Sequence, residues 1–154
     1  MNQPRWLDAD EMRAWKAFLA ATALVNRQVD HQLKEEMGLS HLQYEILVRL
    51  NQAPEAELRM TVLADALLNS KSGLTYQINQ LEKAGLVRRR TCPTDVRSIY
   101  ACLTDAGRTM LQRAAPGHVT AVRQLFIDLL TPSQLAELAD SLEKVAVGYH
   151  QQRE

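Results

Sequence analysis

Three features of the sequence predict a mainly α-helical fold with one small β-hairpin. Apolar residues recur at helical spacing through most of the chain, and the period turns strand-like only around residues 87–103. Glycine and proline fall where helices should end. A chain of 154 residues can bury a core without disulfide or metal staples, so a single domain over 1–154 is expected.

Asp8 and Asp10 suit the start of a first helix, which keeps its stripe through Met12, Trp15, Leu19, Val25, Val29 and Leu33. Gly38 is its natural stop, so this helix is about 30 residues long. A helix of that length usually needs a partner to cover its apolar face. Ser40 caps a second helix that turns Leu42, Ile46, Leu47 and Leu50 inward. Residues 53–58, with Pro54, read as a polar connector. A short third helix follows over 61–68, and a fourth over 70–84, ended by Gly85.

Residues 87–91 and 99–103 then read as two short strands. The loop between them, 92–98, holds Pro93 and turn-forming polar residues. Thr104 caps a fifth helix running toward Leu130, which Pro116 and Gly117 should kink or interrupt. Pro132 opens a sixth, where Leu135, Leu138, Leu142, Val145 and Tyr149 form a narrow seam suited to another helix.

Helix, helix, helix and two-stranded hairpin, in about 65 residues, is the order of a winged helix-turn-helix lobe. The expected architecture is therefore that lobe over 39–103, with terminal helices over 1–38 and 104–154 forming a dimerisation region. In the fourth helix Leu74, Ile78 and Leu81 share the core face. The opposite face offers Ser72, Tyr76, Asn79 and Lys83, flanked by Thr75 and Gln80. Hydroxyl, amide and ammonium groups on an exposed helix can read base edges in a major groove, although a merely solvated face has the same look.

The formal net charge is zero, which by itself argues against nucleic acid, but its distribution does not. Residues 69–108 hold seven basic residues against three acids, a net of +4, while 1–57 and 128–154 each carry −3. Arg88, Arg89, Arg90 and Arg97 make the hairpin basic, suited to phosphates or a minor groove.

The motifs LADALLNSKSGLT (63–75), QLEKAGLVRRR (80–90), DVRS (95–98) and LTDAG (103–107) resemble the multiple-antibiotic-resistance regulator (MarR) family. The likeness spans nearly the whole chain in layout and is most specific over 63–107. It implies a homodimer that represses or activates genes at near-palindromic sites in double-stranded DNA, with repression the expectation for this chain. By resemblance Arg97 is the wing-tip arginine that enters the minor groove, Asp95 braces the wing, and Arg89 is a basic residue at the first wing strand and an ion-pair partner for Asp95. The DNA-contacting set then reads Lys71, Ser72, Thr75, Tyr76, Asn79, Gln80, Arg89 and Arg97. Val96 stands where relatives often have a second arginine, and Tyr76 and Gln80 where they are often basic, so less charge reaches DNA here.

The resemblance also implies a small aromatic or anionic effector held between dimer helices and reading lobe. Trp15, His41 and Tyr44 are the candidate lining, with ordinary packing as the alternative. Cys92 in the wing loop could serve a redox-responsive regulator, and Cys102 reads as a small buried hydrophobe. The four histidines lack metal-ligand spacing, although some relatives bind zinc near His41 and His118, so neither metal nor cofactor is expected. There is no catalytic fingerprint. The opening residues carry no secretory signal, and the apolar run 17–25 is too short to span a bilayer. A cytoplasmic protein without membrane contact is the expectation. A winged helix used for protein–protein contact is the competing reading.

Overall fold

The computed structural model describes residues 3–67 and 71–152, with the side chain of Lys71 excluded. Helix α1 spans Ala9–Met37 and starts with a reciprocal cap. Asp8 accepts from the Glu11 backbone N–H at 2.8 Å, and the Glu11 carboxylate accepts from the Asp8 N–H at 3.0 Å. Ser40 and Gln43 repeat this arrangement at the head of α2, His41–Gln52.

Here the structure corrects the predicted connector. A short 3-10 turn at Pro54–Ala56 leads into a strand β1, Glu57–Arg59, and then into α3, Met60–Ala66. Three residues are too few for a period to show in sequence, and β1 exists because β3 offers it a ladder. Helix α4 follows at Lys71–Lys83, and Leu68 and Ser70, assigned to helix ends by sequence, lie with Asn69 between them outside the described residues. Gly85 turns the chain in the left-handed region at φ 73°, which favours a residue without Cβ.

Strands β2, Val87–Thr91, and β3, Ile99–Leu103, fall where the sequence placed them. The sheet is antiparallel in the order β1-β3-β2. Thr104 caps α5, Asp105–Leu125, by accepting from the Gly107 N–H at 3.1 Å, and donates its hydroxyl to the Gly85 carbonyl at 2.6 Å. Gly107 is forced by space: a Cβ there would sit 2.2 Å from the Leu86 carbonyl oxygen. That close approach seats the hairpin against α5.

One α-helix runs unbroken through Pro116 and Gly117, so the interruption expected there does not occur. The helix ends at Leu125, short of Leu130, and a 3-10 turn at Ile127–Leu129 follows, with Asp128 paired to Arg123. Thr131 and Gln134 form a third reciprocal cap on α6, Pro132–Gln151.

The core lies inside the lobe. Ile46, Leu47 and Leu50 of α2 meet Leu63 of α3, Leu74, Ile78 and Leu81 of α4, and Val87 and Ala101 of the sheet. Val29 and Leu33 of α1 and Leu111 and Ala114 of α5 extend it. Outside that region little is covered. Helix α6 buries no residue, and α1 buries only its C-terminal part. No helix among the described residues is long and apolar enough to cross a membrane.

Candidate nucleic-acid interface

Burial of Leu74, Ile78 and Leu81 fixes the rotation of α4 and therefore what it shows outward. Tyr76 is 60% exposed, and Ser72, Thr75 and Lys83 are exposed beside it. Asn79 and Gln80 are half-buried. Tyr76, Asn79, Gln80, Glu82, Lys83 and Arg89 line one shallow hollow, so the helix face and the first wing strand form a continuous polar surface. Lys71 starts the helix, but its side chain lies outside the described set.

Arg89 is not the partner of Asp95 that the resemblance implied. Its backbone N–H donates to Glu82 at 2.9 Å and its guanidinium to the same carboxylate at 3.0 Å. The reason is side-chain alternation: Arg89 points to the α4 side of the hairpin, where Glu82 waits. These hydrogen bonds, with the Arg89 charge, hold the Glu82 carboxyl below its usual range. Asp95 instead accepts from Ser98 Oγ at 2.9 Å and from the Arg97 N–H at 3.0 Å. It braces the wing by closing its tip turn, and the same bonds lower its pKa. Arg97 is exposed at that tip.

The three consecutive arginines divide their work. Arg90 makes a two-bonded ion pair with Glu57 and lies 4.3 Å above the Tyr100 ring. That guanidinium pulls the Glu57 carboxyl down to about 2. Arg88 is exposed opposite Cys102. Glu57, Arg59 and Tyr100 escaped sequence reasoning because the strand that carries two of them did. The polar–apolar–polar order of Glu57, Leu58 and Arg59 is too short to have marked the strand.

The proposed effector lining assembles only in part within the chain: His41 and Tyr44 come together around His118, and Trp15 does not join them. Trp15 is half exposed and stacks on Phe18 at 6.1 Å. Asp30, which accepts from the His41 N–H, lies 15 residues further along α1, roughly 22 Å by helical rise. Tyr44 is buried and packs on His118 of α5 at 4.4 Å, with His41 6.1 Å from His118. His118 was missed as a member of this group. Burial lowers its pKa, with help from His41, and its Nδ1 is buried without a hydrogen-bond partner among the described residues.

Cys92 and Cys102 are free thiols. Cys92 lies 3.2 Å from Thr94 Oγ1, and hydrogen bonds there lower its pKa. Cys102 is buried, as expected, and donates to Glu57 at 3.3 Å. Among the described residues no group of three or more His, Cys, Asp or Glu is placed to hold a metal.

A trihelical core, a three-stranded sheet with a basic wing and an outward polar helix define a winged-helix protein of the DNA-binding class. The MarR family model matches residues 39–99. Sco3205 of Streptomyces coelicolor, a MarR family transcriptional regulator solved in complex with DNA, is 42% identical, with a TM-score of 0.91 over 96% of this chain and 92% of that one. AbsC, a MarR family transcriptional regulator of the same organism, is 40% identical, with a TM-score of 0.90 over 96% and 99%. The HTH-type transcriptional regulator PecS of Dickeya dadantii is 30% identical over 85% of this chain and 76% of its own length. The chain belongs to the MarR family of DNA-binding transcriptional regulators.

Proposed function

We propose that this chain acts as a homodimeric repressor on a near-palindromic site, with α4 in the major groove and the wing tip in an adjacent minor groove. One observation carries this reading: the outward face of α4 and the wing strand share one polar surface, with Arg97 exposed beyond it. Tyr76, Asn79 and Gln80 would meet base edges, and Ser72, Thr75, Lys71 and Lys83 the flanking phosphates. Arg89 braces more than it binds, because Glu82 already neutralises it.

The dimer is supported by what the single chain leaves bare. Trp15, Phe18, Leu19 and Leu24 of α1 and Leu142, Val145 and Tyr149 of α6 are all exposed large hydrophobics. Surface of that extent asks for a second copy, and twofold symmetry would set two α4 helices about 34 Å apart on one face of the duplex.

Release by a small ligand is a second reading, favoured by His118 Nδ1, which lies beside Tyr44 and is buried without a hydrogen-bond partner among the described residues. Such a ligand must bind one spacing of the two lobes better than another. Selection of bound duplexes from a random pool tests the main reading, followed by transcription in vitro from a promoter overlapping the recovered site. An inverted repeat and reduced transcription are expected. Recovery of no preferred sequence would favour the protein–protein module instead.

A further inference from the structure

The outer face of the sheet carries a row of charge that the reading above leaves unused. Strand register puts Glu57 and Arg59 of β1, Tyr100 and Cys102 of β3, and Arg88 and Arg90 of β2 on one face. Three arginines therefore share one carboxylate, and Glu57 gives both its oxygens to Arg90. Arg59 has no carboxylate partner among the described residues. Its Nε donates to the Tyr100 hydroxyl at 2.9 Å, and its guanidinium carbon lies 5.6 Å from the centre of the Tyr100 ring.

Position adds to this. Arg59 is exposed and is paired in register with Tyr100, the second residue of β3, so it stands beside the base of the 92–98 loop. It also immediately precedes α3. Asp95, held low mainly by Ser98 and the Arg97 N–H, feels the Arg59 charge as well. Arg88 sits at the other end of the ladder, opposite Cys102.

We propose that Arg59 is a backbone-phosphate contact in the DNA complex, positioned by Tyr100. A guanidinium fixed at Nε and supported by a ring loses little freedom on meeting an anion, and its two terminal amino groups present the paired donors a phosphate accepts. With Arg89 and Arg90 neutralised by Glu82 and Glu57, Arg59 joins Arg97 as a source of charge beside the wing. The inference rests on the assignment of α4 and the wing to DNA.

Binding of the full-length protein to a random-sequence duplex, titrated over a series of salt concentrations, tests it. Arg59→Ala should weaken binding and flatten the log–log salt slope by about 0.9 per subunit. Arg59→Lys should restore most of the slope, since it keeps the charge. Tyr100→Phe should weaken binding less than Arg59→Ala while leaving the slope intact. An Arg59→Ala protein with wild-type affinity and slope overturns the proposal. So does one that binds weakly with an unchanged slope and a lowered Tm, which would make Arg59 purely structural. Arg97→Ala separates the two levels: if it flattens the slope and Arg59→Ala does not, only this proposal fails. If neither does, the wing assignment fails with it.

Discussion

Glu82 of α4 holds Arg89 of β2 through two hydrogen bonds, one to the strand backbone at 2.9 Å and one to the guanidinium at 3.0 Å. A helix carboxylate that satisfies a strand N–H fixes the distance between helix and wing. In the proposed DNA complex, the same carboxylate would cancel one positive charge on the reading surface. Both side chains are about a third exposed, so the ion pair adds little stability and its effect is on position and charge.

Glu82→Gln keeps an acceptor for the Arg89 N–H but frees the guanidinium charge. Binding to a random-sequence duplex should tighten, and its salt slope should steepen by up to about 0.9 per subunit. Fluorescence anisotropy over a salt series measures both. An unchanged slope would place Arg89 away from the DNA backbone.

Glu57 provides a pH test. Its carboxyl is held near 2 in the folded chain, against an ordinary value of 4.5, first by the Arg90 hydrogen bonds. A carboxyl lowered on folding stabilises the fold above its unfolded value, and that contribution fades as pH falls from about 4.5 toward 2. Glu57→Gln should therefore cost about 1–2 kcal/mol at neutral pH, with the gap to wild type closing through that acid window. Urea unfolding at a series of pH values measures it, and a gap that did not change with pH would deny the pair its role.

The bare seam on α6 makes a prediction about assembly. Val145 is 68% exposed in the single chain. If a second copy covers it, Val145→Glu puts an unpaired charge into an apolar contact twice per dimer. Dissociation should rise about a hundredfold or more, at 1.4 kcal/mol or more per copy. Sedimentation velocity at micromolar protein should show monomer, with the circular dichroism of the helices retained. A stable dimer would move the interface elsewhere.

Most of this fold was readable because its signals are local. The caps at Ser40 and Thr104, the stop at Gly38, Pro132 at the head of α6 and both wing strands follow from local residue types and spacing. What escaped depends on tertiary partners. The strand β1 forms only because β3 lies beside it, and with it went Glu57, Arg59 and the ion pair to Arg90. The end of α5 at Leu125 likewise had no local marker strong enough to separate it from Leu130.

At the site, helix periodicity gave the outward face of α4, since Leu74, Ile78 and Leu81 leave only one rotation. The partners of the arginines were not legible, because the carboxylates that claim Arg89 and Arg90 lie seven and 33 residues away. Of Trp15, His41 and Tyr44, only the last two share a place within the chain, around His118 of α5, while Trp15 stacks on Phe18 further along α1.

The central claim is that α4 reads sequence while the wing supplies charge, and one measurement tests it most directly. Wild type, Asn79→Ala and Arg97→Ala are titrated against the selected duplex and a scrambled one over several salt concentrations. Asn79→Ala should cost on the order of 1–3 kcal/mol on the selected duplex, with much less loss on the scrambled one. Arg97→Ala should weaken both together and flatten the salt slope. Equal losses for Asn79→Ala on the two duplexes, or an Arg97→Ala protein with unchanged affinity and slope, would contradict the account.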